Sequence, residues 1–216
     1  IDNEAFQILK DSYTAKQRNP LFAQLSTSQI LSDLKLITDT KLNYACLILL
    51  AKKEILNTRL PQCKIIWEYR SSESQIHFDN RIVLDEPLYK SVDQVWRLIN
   101  QPLLNKKHPI QNGAYIYDIY DFNEAVLREA ILNAVAHRDY SIASEVVIKQ
   151  FPNKIIITNP GGFPKGVNLE NILTVSSTPR SRLLTDIIEK TGLVERSGQG
   201  VDKIFSLTLS EGKTEP

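Results

Sequence analysis

Glu129, Asn133 and His137 stand four residues apart within 128–139, Arg-Glu-Ala-Ile-Leu-Asn-Ala-Val-Ala-His-Arg-Asp. At about 3.6 residues per turn they fall on one narrow stripe of a helix. The residues around them, from Ala125 to Leu127 and then Ala130, Ile131, Leu132, Ala134, Val135 and Ala136, leave few directions suited to water. A helix that is apolar nearly all round is normally buried. A carboxylate, an amide and an imidazole on such a helix must meet a partner, a ligand or a polar cavity, because an unpaired buried polar group costs roughly several kcal/mol. Hydrogen bonds to neighbouring loops would serve as well as a ligand.

Glycines ahead of helices are the second signal. Gly161 and Gly162 let backbone come close to a ligand, since no Cβ intervenes. Gly198 and Gly200 stand at an expected helix start, where free N–H groups and the helix dipole favour anions such as phosphate. Tight turns are the alternative reading of both pairs.

The elements that must position these residues follow from periodicity. Residues 1–20 read as a helix with a turn ending at Asn19-Pro20. Ser26 to Leu36 reads as a short helix capped by Thr27 or Ser28, and Leu42 to Leu50 as strand or helix. Lys64–Tyr69 and Gln75–Leu84 suggest a hairpin, and Pro87 to Gln101 a helix. Asn105 to Pro109 is the expected boundary, with Lys106-Lys107-His108 as a solvated linker. Beyond it come a strand over Ala114–Tyr120, a capping box of Asp121 with Glu124 ahead of the striped helix, and a hairpin of Val146–Gln150 with Ile155–Thr158. A helix from about Arg180 to Lys190 and another through Leu209 complete the pattern. This order predicts an α+β chain: a two-layer α/β arrangement with a mostly antiparallel sheet over 109–216, preceded by a smaller α+β segment over 1–108.

Composition narrows the function classes. With 216 residues, 42% hydrophobic and 24% charged, the chain can bury a core. A net charge of +1 gives no bulk signal for nucleic acid. Cys46 and Cys63 make neither a disulfide framework nor a metal cluster and read as small buried apolar residues, so a reducing cytoplasm is the expected location. Three histidines without local pairing argue against structural zinc, and no apolar run suggests a membrane span. The chain opens at Ile1 and contains no methionine, so further domains before Ile1 or beyond Pro216 are expected. Trp67, Tyr69 and Trp96 read as core, and Glu195-Arg196 as an ion pair or a ligand contact.

The combination of a polar-striped helix and two glycine motifs resembles the ATP-binding domain of the GHKL superfamily, which includes gyrase, Hsp90, histidine kinases and MutL. More closely, the chain resembles bacterial proteins described as RecG-related ATP-dependent DNA helicases or AlbA-2/Schlafen-type transcriptional regulators. The motifs that carry the resemblance are residues 128–140, Asn-Pro-Gly-Gly-Phe-Pro at 159–164, Thr-Pro-Arg-Ser-Arg-Leu-Leu at 178–184 and Gly-Leu-Val-Glu-Arg-Ser-Gly-Gln-Gly-Val-Asp-Lys-Ile at 192–204. Residues 33–37 and 64–70 also fit the family's middle segment.

The resemblance implies a Bergerat-like fold and an ATP site with Mg²⁺. Asn133 would hold the Mg²⁺ that bridges the phosphates. Glu129 would orient or deprotonate the attacking water. Gly161 and Gly162 would make room for adenine, and Gly198, Gln199 and Gly200 would offer amides to phosphate. Arg180 and Arg182 would be charge partners, and His137 would contact ligand or hold a neighbouring loop. GHKL proteins read the adenine amino group with an Asp before the first glycine motif. Here Asn159 occupies that region, an acceptor without charge.

The expected function is thus an ATP-binding regulatory module that meets DNA only through other domains, with the possibility of a homodimer and no membrane association. Any hydrolysis would be slow and would switch conformation. A processive helicase is not expected: Gly212-Lys213-Thr214 lacks the upstream glycine of a P-loop, position 207 being Leu. A nucleotide-free scaffold that keeps the fold is the alternative. A third reading takes Ser26–Thr40, or Arg180–Val201, as a winged helix-turn-helix.

Overall fold

A computed structural model describes residues 1–164, 166–175, 179–194 and 200–216. The chain begins with α1 (Asn3–Gln17), capped by the Asp2 carboxylate, which accepts from the Ala5 N–H at 2.9 Å. Helix α2 (Thr27–Asp33) is capped by Ser26, not by Thr27 or Ser28. Gln29 completes a capping box, and a reciprocal pair satisfies two end groups where one hydroxyl satisfies one. A two-residue hairpin, β1 (Ile37–Thr38) and β2 (Lys41–Leu42), turns through Asp39 and Thr40, both at positive φ. Residues 26–40 therefore hold one helix, and the helix-turn-helix reading of that segment is corrected.

The ambiguous run is helical. It forms α3 (Tyr44–Leu50), started by Asn43, whose side chain accepts from the Cys46 N–H, and it buries Cys46, Leu49 and Leu50. Helix α4 (Lys53–Arg59), strands β3 (Ile65–Tyr69) and β4 (Asn80–Leu84) and helix α5 (Leu88–Ile99) follow. The expected linker is instead a strand, β5 (Lys107–Asn112), paired with β6 (Tyr115–Tyr120). Lys107 binds Asp118 and His108 binds Asp121, so these basic residues have partners across the hairpin. The striped helix is α6 (Glu124–Ala136), followed by β7 (Val146–Gln150), β8 (Ile155–Thr158), α7 (Arg182–Lys190) and α8 (Gly200–Ser210).

The main sheet has the order β4-β3-β7-β8, with β3–β7 parallel and the two outer pairings antiparallel. Period-two alternation puts Ile65, Trp67, Val146, Ile148 and Gln150 on one face, and all five are buried. Helix α5 packs on β3 and α6 on β8, and the two helices touch each other. Trp67 donates from Nε1 to Gln150 Oε1 at 3.0 Å, and Gln150 Nε2 donates to the Ile99 and Leu104 carbonyls at 3.1 Å each, so the polar atoms inside this layer are satisfied. One core cluster runs from Ala5 to Ile188 and draws on α1, α3, α5, α6 and α7. Trp96 and Tyr69 pack against its edge, Cys46 is buried and Cys63 is half-buried.

Candidate functional site

Helix α6 starts at Asn123, whose Oδ1 accepts from the Ala125 and Val126 N–H groups at 2.9 and 3.2 Å. This replaces the expected Asp121 cap. Asp121 is drawn off to His108 Nε2 and the Lys106 N–H. Asn123 also donates to Glu211, just beyond α8, and Arg128 Nη2 donates to the Gly192 and Leu193 carbonyls at 2.8 Å each. The segments that follow α7 and α8 are thereby tied to the striped helix.

Glu129, Asn133 and His137 line one cavity of about 550 Å³, enclosed between α6, the end of β8, the glycine loop after it, α7 and α8. Glu129 is 5% exposed and has no hydrogen-bond partner among the described residues. His137 is the C-cap of α6, and its N–H still bonds the Asn133 carbonyl at 3.0 Å, so it remains on the stripe. Burial, then the nearby Arg180 charge, lowers its proton affinity below that of an ordinary histidine, and the ring is neutral at pH 7.

Asn159 follows β8 and faces the cavity. Its Nδ2 donates to the Ala134 carbonyl at 3.3 Å, which fixes the amide so that Oδ1 is left as an acceptor. Gly161 and Gly162 both line the cavity but differ in what they permit. Gly161 has φ +107, and a Cβ there would meet Asp139 at 3.0 Å and Arg180 at 3.2 Å. A Cβ at Gly162 would meet nothing within 4 Å.

Arg180 is engaged away from the cavity. It pairs with Asp139 at 3.3 Å and donates to the Gly162 carbonyl, joining the end of α6, the glycine loop and the start of α7. Hydrogen bonds from Ser141, then the charges of Arg180 and Arg138, hold the Asp139 carboxyl below the usual range. Arg182 is exposed at the first turn of α7 and does not line the cavity. Gly198 and Gln199 lie outside the described residues, as do Glu195 and Arg196. Gly200 does line the cavity: a Cβ on it would lie 2.1 Å from Glu129 Oε1 and 3.1 Å from Asn133 Nδ2. The α8 backbone thus rests directly on the stripe.

Two residues escaped the sequence reading. Thr185 is 8% exposed on α7, lines the cavity, and its hydroxyl has no hydrogen-bond partner among the described residues. A threonine among Leu184, Ile187 and Ile188 on a buried face was the available signal. Asp139, the partner of Arg180, carried none.

The arrangement gives a buried carboxylate, an amide beside it, an amide oxygen at the far side and close-packed glycine backbone. No group of three or more His, Cys, Asp or Glu side chains among the described residues could hold a metal by itself. A cation here would need oxygens supplied by a ligand.

Residues 143–216 match the family described as “Putative ATP-dependent DNA helicase recG C-terminal”. That segment carries β7, β8, the glycine loop, α7 and α8, while the striped helix lies just before it. Residues 1–66 match a family described as a domain of unknown function (DUF8451). No curated protein matches. The crystal structure of the DIP2311 protein from Corynebacterium diphtheriae is similar over 99% of this chain, with 22% identity and a TM-score of 0.80. The chain spans 41% of the length of that protein, and the likeness speaks for the mixed α+β fold. No helix among the described residues is long and apolar enough to cross a membrane.

Proposed function

We propose that the chain is a GHKL-type nucleotide-binding module that takes ATP with Mg²⁺ and serves a regulatory protein whose DNA contacts lie in other domains. The observation that carries this is Glu129: a carboxylate 5% exposed, without a hydrogen-bond partner among the described residues, on the wall of a cavity of about 550 Å³. Such a cavity suits a nucleotide-sized ligand, and a carboxylate on its wall calls for a cation or a polarised water. Asn133 would supply an amide oxygen to Mg²⁺ held by the phosphates. The magnesium would neutralise phosphate charge beside Glu129. Glu129 would hold the water that attacks the terminal phosphate, and Asn159 Oδ1 would accept from the adenine amino group.

Within this reading, residues 109–216 form the nucleotide-binding part and residues 1–108 complete its sheet and core. A homodimer and a cytoplasmic location fit the same proposal. The family description of residues 143–216 supports an ATPase-like module of RecG-related proteins. Turnover, if present, would be slow, since Arg180 is held by Asp139 rather than directed at the cavity.

Calorimetric titration with a non-hydrolysable ATP analogue, with and without Mg²⁺, tests the proposal. Binding that needs Mg²⁺ and falls at least about tenfold in Asn133→Ala, the loss of one charge-assisted contact, is expected. No heat and no thermal shift at millimolar analogue would leave the scaffold reading, which the engaged Arg180 and the uncharged Asn159 favour.

A further inference from the structure

The β5–β6 hairpin has no role in the cavity. Every one of its strand residues except Ile119 is exposed, and among the described residues neither strand pairs with any other. Ile110, Tyr115, Tyr117 and Ile119 share one of its faces, with Tyr115 69% and Tyr117 55% exposed. Two strands alone are marginal in water and gain stability from a third. An uncovered apolar strand edge is a template for pairing.

The two edges are not equivalent. Pro109 and Lys107 blunt the β5 edge. The β6 edge, Tyr115–Tyr120, carries neither residue type. The Asp121 N–H bonds the Lys106 carbonyl at 2.9 Å, so odd-numbered residues of β6 turn their backbone groups toward β5. Ile116, Asp118 and Tyr120 turn theirs outward. The Tyr120 carbonyl is taken by Lys213 Nζ at 3.1 Å, which leaves Ile116 and Asp118 as the free edge.

We propose that β6 pairs antiparallel with β6 of a second copy of this chain across a twofold axis at Tyr117, giving a continuous four-stranded sheet. A ladder can form only where outward residues oppose outward residues. A twofold at Tyr117 sets Ile116 against Asp118 of the second copy, and the reverse, and uses just the free groups. Of the two neighbouring allowed registers, one sets Asp118 against Asp118, which like charge disfavours, and needs the occupied Tyr120 carbonyl, while the other sets Asp118 against Ala114, which lies in the turn outside β6. On the apolar face the chosen register brings Tyr117 onto Tyr117 and Tyr115 onto Ile119, pairs that stabilise antiparallel strands. Charge argues against two other occupants. Lys107 with Asp118 and His108 with Asp121 pair within the hairpin, which leaves no stripe of one sign for nucleic acid or an anionic surface.

Sedimentation velocity over a concentration series, on the whole chain, tests this. Wild type is expected to reach a dimer. Ile116→Pro removes an outward N–H that the hairpin itself does not use and should give a monomer with unchanged circular dichroism. Tyr117→Lys, which sets two cations across the axis, should weaken association at least about tenfold. Tyr117→Cys should form a reducible covalent dimer on mild oxidation that wild type, with Cys46 and Cys63 alone, does not form. A wild type that stays monomeric throughout the series, or a dimer indifferent to both Ile116→Pro and Tyr117→Lys, overturns the proposal. Neither result depends on whether the cavity binds nucleotide.

Discussion

A β-carbon built on Gly200 would lie 2.1 Å from Glu129 Oε1, so any larger residue must push the carboxylate or the α8 backbone aside. Gly200→Ala is expected to cost about 1–3 kcal/mol, as overpacking of a filled site does, read as a lower thermal midpoint. The same change should weaken Mg-dependent analogue binding, because it displaces Glu129 from the wall of the cavity. His137 sets a pH dependence. Its folded-state proton affinity is lowered by burial and by Arg180, so the unfolded chain binds the proton more readily. Stability from this group is present above the unfolded value of about 6.5 and is lost as pH falls below it. Urea unfolding at pH 7.5 and 5.5 should show a decline that is smaller in His137→Gln. At this scale the stripe of Glu129, Asn133 and His137 was legible, because helical period alone fixes it. The engagement of Arg180 by Asp139 was not, since 41 residues separate the partners and no local rule joins them.

Among the elements, the β1–β2 hairpin holds strain that sequence reasoning passed over. Its two-residue turn places Asp39 at φ 49 and Thr40 at φ 64, a conformation that glycine takes freely and a β-branched residue resists. Thr40→Gly is expected to raise stability by about 1 kcal/mol, the relief of strain outweighing the added freedom of the unfolded chain. Equilibrium denaturation would show the midpoint rising with an unchanged slope. Helices α1, α2, α5 and α7 were legible from apolar spacing, with ends off by a few residues. Their caps were less so: Ser26 won because Gln29 completes its capping box, and Asn123 because His108 claims Asp121. Strand β5 was missed because Ile110 is its single large apolar residue, too few to show an alternation, and because its partner is β6 alone among the described residues.

For the whole molecule, the parallel pairing of β3 with β7 is the decisive join. It sets Ile65 beside Val146 and Trp67 beside Ile148, and Trp67 closes on Gln150 beneath α5. A fragment of residues 109–216 would bare the buried edge of β7 and leave Gln150 without Trp67, Ile99 and Leu104. Such a fragment is expected to lack a cooperative thermal transition, while the full chain unfolds in one step by both circular dichroism and tryptophan fluorescence. Two separate transitions in the full chain would mean that the core from Ala5 to Ile188 does not act as one unit.

Sequence alone determined the elements whose signals are local: the apolar helices, the glycine breaks, the β7–β8 hairpin and the polar stripe of α6. Each rests on a period or a turn preference that acts over a few residues. Only the tertiary structure decided what the stripe faces, that Gly200 seats α8 on Glu129, that Thr185 lines the same cavity and that β3 borders β7. Those facts depend on contacts between residues far apart in the chain, where packing and partner competition act and local preference has no purchase.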